Sequence, residues 1–198
     1  MKFYFIHLLI ITSLFSSAQS KLAMSFTGNY NIGLNDLKDN YDNGIGINAE
    51  IYYYFNDSPF ALSLSLGSNL FNASNEYKQA YTDAQQNRLD NFEYELKEYS
   101  IPILFSGNYR FFREKKFQIS LGVGMGLYSI TSKFKQIGEY TSDTQLNTDN
   151  EFGVYPHLGL MYEFSKGMGI LLKGGYNQTF GTQSISYVDF RLGLIYQI

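Results

Sequence analysis

Residues 187–198, YVDFRLGLIYQI, alternate strictly between two kinds of side chain. Val188, Phe190, Leu192, Leu194, Tyr196 and Ile198 form one unbroken apolar row, while both charges, Asp189 and Arg191, fall in the other. Successive side chains of a β-strand point to opposite faces, so a period of two marks a strand with two unlike sides. Few folds accept such a strand. Its apolar row needs an apolar medium along its whole length, and its backbone needs a partner on each side. A closed barrel supplies both, and this stretch reads as the closing strand of one.

The same pattern recurs seven times upstream, in segments beginning near Leu22, Ile45, Phe60, Glu98, Phe117, Phe152 and Met168. In the second, Ile45, Ile47, Ile51, Tyr53 and Phe55 oppose Asn48, Glu50, Tyr52 and Tyr54. In the fifth, Ile119, Leu121, Val123, Met125 and Leu127 oppose Gln118, Ser120 and three glycines. Pro102 falls inside the fourth segment. A proline removes one ladder hydrogen bond, so a bulge or a locally weak pairing is expected there. The connections alternate long and short. The long ones include two polar stretches, residues 72–94, parts of which have helical character, and 131–151; tight turns such as Asn56-Asp57-Ser58-Pro59 alternate with them. This is an up-and-down meander with every long connection at one end.

Alternation alone does not say which face is wet. A secreted lipocalin-like carrier is also an eight-stranded barrel, with its apolar side chains inside. The polar rows decide. A surface in water is dense in Lys, Glu, Asp and Arg; these rows are mostly Gly, Ser, Asn and Tyr, with the charges gathered in the turns. Small polar side chains suit a narrow lumen. Aromatics also collect at the ends of the apolar rows: Phe55, Phe60, Phe111, Phe117, Phe164 and Tyr196 towards the short turns, and Tyr30, Tyr99, Phe152, Tyr176 and Phe190 towards the long connections. Aromatic girdles around an apolar band describe an all-β, eight-stranded antiparallel transmembrane β-barrel. Lipid offers the backbone no partner, so a sheet crosses a bilayer only when closed.

The N-terminus agrees. Lys2, an apolar run over residues 3–15 and Ser16-Ser17-Ala18 have the form of a secretory signal peptide. Residues 1–18 are therefore expected to be removed, leaving residues 19–198 as one barrel domain. The net charge of −3 becomes −4 once Lys2 is lost, which gives nucleic acid no basic field to bind. There is no cysteine, hence no disulfide, thiolate metal site or lipid-modified N-terminal cysteine.

On these residues the chain resembles the small outer-membrane β-barrels of Gram-negative bacteria, the OmpA/OmpX-like porin family. The segment EYSIPILFSGNYRFF (98–112) and the terminal VDFRLGLIYQI carry the resemblance, and the Tyr-x-Ile-Pro-Ile-Leu form resembles barrels of Bacteroidota, including relatives of the PorT secretion component. Such barrels often end on an aromatic residue read by the barrel-assembly machinery; here Ile198 is last and Tyr196 stands two before it. The resemblance implies a monomer in contact with outer-membrane lipid and lipopolysaccharide, with its long loops extracellular.

Six charges fall on the inferred lumen face: Glu50, Glu98, Glu163, Lys173, Asp189 and Arg191. An unpaired charge in a narrow, partly dry interior costs several kcal/mol, so an ion-pair network is expected, with Lys173 and Arg191 set among the four acids. Its expected role is structural, because eight strands enclose little more than their own side chains. Tyr52, Tyr54, Tyr155 and Tyr187 add to the filling. His157, the one histidine outside the leader, sits inside a strand and reads as a satisfied lumen side chain rather than a catalytic base. There is no nucleophile elbow, phosphate loop or metal-ligand spacing; Asp143, Asp149, Asn150 and Glu151 are a weak calcium pattern. No enzyme activity and no cofactor are expected. Contacts with an extracellular ligand or protein would come from the long loops, through Tyr77, Tyr81 and Tyr140. The reading is a structural or surface-interaction protein of the outer membrane. The alternatives are a narrow porin-like channel, a secretion-machinery accessory and the lipocalin-like carrier.

Overall fold

The computed structural model describes residues 21–56, 58–85, 93–112, 115–137 and 142–198. The expected leader, residues 1–18, lies outside them. Eight strands follow in order: β1 (Lys21–Leu34), β2 (Gly44–Tyr54), β3 (Phe60–Asn72), β4 (Glu93–Phe111), β5 (Phe117–Ile137), β6 (Ser142–Ser165), β7 (Met168–Phe180) and β8 (Ser186–Gln197). Each pairs antiparallel with its chain neighbour, and β8 returns to β1, from Ala23↔Gln197 to Leu34↔Ser186. The wall is a closed eight-stranded barrel, as the alternation predicts.

The apolar rows face out. Phe26, Ile47 and Leu192 are each more than 60% exposed, at 63%, 70% and 61%, while Ser25, Asn48 and Arg191 on the opposite rows are buried. Both girdles lie on this outer surface, joined by edge-to-face contacts such as Phe60–Tyr109 at 5.3 Å and Tyr109–Phe111 at 4.8 Å. Edge-to-face packing suits rings whose faces are negative and whose edges are positive.

Pro102 interrupts β3–β4 without shifting it. The ladder runs to Leu66↔Ile103 and resumes at Asn69↔Ser100, with the register kept. Of the two outcomes expected there, the weak pairing occurs and the bulge does not. Pro156 on β6 has the same effect on its pairing with β7, which stops at Val154↔Gln178 and resumes at His157↔Gly175.

One of the long connections differs from expectation. Residues 131–151, read as a polar loop, are mostly strand: β5 and β6 stay paired from Thr131↔Thr148 up to Ile137↔Ser142. β4 continues beside them, from Tyr99↔Thr131 up to Glu93↔Ile137. A tilted strand of about 9–11 residues crosses a bilayer, whereas β4, β5 and β6 have 19, 21 and 24. The surplus stands above the barrel as a three-stranded ridge. The connection after β1 carries a short helix, α1 (Asp36–Asn40), and that after β3 carries α2 (Asn75–Gln85). Leu37 of α1 is buried in one apolar cluster with Phe71, Tyr128 and Tyr187 of the barrel, so α1 caps the outer mouth of the lumen.

The closure itself can be tested. Gly193 on β8 lies so close to β1 that a Cβ would overlap the backbone of Phe26 and Thr27, whereas a Cβ at Gly107 meets nothing within 4 Å. Gly193→Ala forces the β1–β8 seam apart and is expected to cost about 1–3 kcal/mol, the range for overpacking. Gly107→Ala is expected to leave stability unchanged. Urea midpoints in detergent micelles compare the two, and equal midpoints would show that β8 does not close tightly on β1.

Candidate functional site: a filled lumen beneath a strand ridge

The lumen is packed in layers. Nearest the short turns, Ala23, Tyr52, Tyr54, Ala61, Met161, Leu171 and Ile195 form an apolar layer. Arg110 lies over the Tyr54 ring, 3.8 Å from its centroid. A cavity of about 30 Å³ lies among these residues, room for about two waters. At the outer end, Leu37, Phe71, Leu104, Tyr128, Ile130, Ile185 and the rings of Tyr155 and Tyr187 close the mouth. Between the two lies the polar middle.

Four of the six charges assigned to the lumen meet there. Lys173 on β7 and Arg191 on β8 are directly opposite in the register. Lys173 Nζ lies 2.6 Å from Glu50 Oε2, which also accepts a hydrogen bond from the Tyr52 hydroxyl at 2.8 Å. Asp189 Oδ2 accepts from Arg191 Nε at 2.8 Å and Nη2 at 2.6 Å, and from Asn177 Nδ2 at 3.2 Å. Its Oδ1 accepts from the Tyr155 hydroxyl at 2.9 Å. The guanidinium lies 4.4 Å from the centroid of the Tyr155 ring. Each buried ion thus has a counter-ion; the two carboxylates accept further hydrogen bonds, and the two cations lie against the Tyr52 and Tyr155 rings.

Glu98 and Glu163 stand apart. Glu98 is at the outer end, accepting hydrogen bonds from Ser132 at 2.9 Å and from Tyr41. Glu163 is at the opposite rim, where its Oε1 accepts from the Gly167 backbone N–H of the β6–β7 turn at 3.2 Å. The expected network of four acids around two bases is therefore two separate pairs, with an acid at each end of the lumen. Strand tilt sets the height of each side chain, and the two outlying acids sit on strand ends.

An amide network missing from the sequence reading joins β1, β3 and β8. Asn29 and Asn31 both donate to Asn69 Oδ1, at 3.2 and 3.0 Å, and Asn69 Nδ2 donates to the Tyr187 hydroxyl at 3.1 Å. Tyr128 donates to Asn177 Oδ1 at 2.8 Å, which links this level to Asp189. The available signal was a run of asparagines on the polar rows. His157 is buried, with Nε2 2.8 Å from Asn108 Oδ1 and Nδ1 3.1 Å from the Tyr155 carbonyl.

At the outer end, Tyr77 of α2 packs obliquely on Tyr41 with ring centroids 5.9 Å apart. Tyr81 lies in α2, its ring outside the described residues, and Tyr140 lies outside them altogether. The suggested calcium ligands do not converge: Asp143 and Asp149 are six residues apart along one extended strand, about 20 Å. Glu151 instead accepts from Gln183 N at 2.8 Å and Thr182 Oγ1 at 3.3 Å. Among the described residues no group of three or more His, Cys, Asp or Glu is placed to hold a metal ion.

The family profile for the outer membrane protein beta-barrel domain matches residues 6–197. Sequence comparison with curated proteins finds no match. Among solved structures, the chain is similar to a major outer membrane protein from Thermus thermophilus, with a TM-score of 0.63 and 12% identity over 90% of this chain and 99% of that one. It is similar to Ail, the attachment invasion locus protein of Yersinia pestis, with a TM-score of 0.52 and 14% identity over 91% and 99%. Neisserial surface protein A gives a TM-score of 0.52 and 9% identity over 88% and 96%. At these identities the likeness is one of fold.

Proposed function

The chain belongs to the outer membrane protein β-barrel domain family and is seated in the cell outer membrane, and within that setting we propose that it is a non-enzymatic, non-conducting barrel whose working surface is its outer end. The observation that supports this is the filled middle of the lumen, where Tyr52, Glu50, Lys173, Arg191, Asp189 and Tyr155 are linked by hydrogen bonds and ring contacts. A conducting pore would have to break paired, buried ions, and each unpaired ion costs several kcal/mol. The outer end, by contrast, is built out well past the membrane by α1, α2 and the β4–β6 ridge. Material placed beyond the bilayer on a closed scaffold suits contact with molecules at the cell surface.

Single-channel recording tests the reading. The folded chain in a planar bilayer is expected to leave the current at the level of the protein-free membrane, at either polarity. Regular, lasting conductance steps would overturn the proposal and favour the narrow channel. In that case, loss of the steps in Arg191→Met would place the ion path at the paired charges.

A further inference from the structure

We propose that the recess at the short-turn end of the lumen binds a short aliphatic carboxylate of about three or four carbons, gripped by Arg110 and Gln118. The buried ion pairs separate this recess from the ridge, so the site is distinct from the outer working surface and does not depend on it.

Space is the first argument. Ala61 on β3 pairs with Tyr54 of β2 on one side and with Asn108 of β4 on the other. Ser120 on β5 pairs with Arg110 of β4 and with Gly159 of β6. Small side chains thus stand between long ones, and the apolar layer does not close over them. The gap is the cavity of about 30 Å³, or about 380 Å³ when its open mouth is included. Its inner limit is fixed: Asn108 donates to Ser63 Oγ at 3.1 Å and meets His157 Nε2 at 2.8 Å, and Tyr52 donates to Glu50. Two waters occupy about 60 Å³ of liquid, roughly the bulk of two or three alkyl carbons. With the carboxyl carbon at the mouth, the acid has about three or four carbons in all.

Charge is the second. Among the described residues lining the recess, Arg110 alone is charged. Its guanidinium is half-buried over the Tyr54 ring, and a guanidinium's planar fork matches the two oxygens of a carboxylate. Gln118, buried in the same wall two residues along β5 from Ser120, adds amide donors. The acids to either side are engaged, Glu50 with Lys173 and Glu163 with the Gly167 backbone N–H. The short turns carry Arg113, Lys115, Lys116 and Lys166 against Asp57 and Glu114, a balance that draws anions toward the mouth.

Apolar contact is the third. Tyr52, Met161, Leu171 and Ile195, all buried, line the inner part of the recess. An inorganic anion gains nothing from these side chains, and an alkane or an amine gains nothing from the guanidinium. A carboxylate with a short alkyl chain uses both. Its oxygens stay at the mouth while its carbons leave water for the apolar layer. Such a group belongs either to a free acid or to the C-terminus of a peptide chain, and the chemistry recognised is the same.

The test is methyl NMR of the folded barrel in detergent micelles, with its methionines labelled at the methyl carbon. Met161 lines the recess, while Met24 and Met125 lie on the outer wall, 37% and 52% exposed, and report any acid that merely enters the micelle. Butyrate is expected to shift Met161 alone, with half-saturation at about 1 mM, ordinary for so small a ligand. Butanamide, butylammonium and formate are expected to bind about tenfold or more weakly, and octanoate to shift the wall methionines instead. Arg110→Met is expected to weaken butyrate about 10- to 100-fold. Ala61→Val, which fills the inner space, is expected to abolish the Met161 response. Unchanged circular dichroism and heat-dependent gel mobility would show that each variant is folded. N-acetylvaline identifies the source: tighter binding than butyrate means a peptide C-terminus and weaker binding a free acid, and either supports the site. Equal response to butanamide, butylammonium or formate, wall methionines that move together with Met161, no saturable shift, or a folded Arg110→Met variant that binds as before would each overturn the proposal.

Discussion

Asp189→Asn is expected to destabilise the barrel by about 3–5 kcal/mol, the cost of removing one partner from a buried ion pair. Asp189 is fully buried, and its two oxygens accept from Arg191, Asn177 and Tyr155. An amide of the same shape keeps the packing but withdraws the charge. Arg191, with a side-chain exposure of 2%, then holds a guanidinium in the lumen without its carboxylate, and its Nη1 already has no hydrogen-bond partner. The urea midpoint in micelles, read by the heat-dependent gel shift, should fall accordingly. The double variant D189N/R191M removes both charges and is expected to recover most of the loss, because replacing a buried pair with neutral groups is far cheaper than breaking it. Glu163→Gln is the contrast: that carboxylate sits at the rim on a backbone N–H, and a change near zero, within about 0.5 kcal/mol, is expected. A loss under about 1 kcal/mol for Asp189→Asn, or a double variant as unstable as the single, would show that the pair does not hold the lumen together.

The contrast between Asp189 and Glu163 marks how far residue order alone can be read. Both lie on polar rows, and alternation assigns both to the inner face. Alternation also supplies the strand count, the meander and the girdles, because one apolar side and one polar side leave a period-two trace wherever the wall crosses lipid. Height is different. It depends on tilt and stagger around the closed sheet, which no single strand records. Lys173 and Arg191 meet the acids they do because the register sets them level with Glu50 and Asp189, and the same register carries Glu98 and Glu163 to the ends.

The ridge was hidden for a related reason. Above the membrane both faces of β5 are wet, so Thr131, Lys133 and Lys135 alternate with Ser132, Phe134 and Gln136 without an apolar row. The strand persists there through its ladder to β4 and β6, although its hydrophobic signature stops at the girdle. Likewise α1 shows a single apolar residue, Leu37, within Asp-Leu-Lys-Asp-Asn. Only the enclosed outer mouth of the lumen gives that side chain a place to be buried.

Leu192→Arg is expected to cost about 2–4 kcal/mol, the depth-dependent cost of an arginine on the lipid face near the midplane. Leu192 is next in the chain to Arg191, yet the two positions face opposite media: Leu192 is 61% exposed on the outer wall, while Arg191 is 2% exposed within the lumen. In the register its neighbours are Gly28 and Leu172, which offer no counter-charge. It lies between the girdles, two residues from Phe190 of the outer one and four from Tyr196 of the inner one, next to the midpoint. At Tyr196 the same substitution is expected to cost only about 0–1 kcal/mol, because an arginine there reaches the headgroups. The comparison is made by unfolding both variants from lipid vesicles. A large loss at Leu192 and a small one at Tyr196 is the signature of a wall in contact with hydrocarbon. A wall in water would tolerate arginine at both positions to within about 0.5 kcal/mol, so equal small losses would mean that the apolar band does not lie in the membrane.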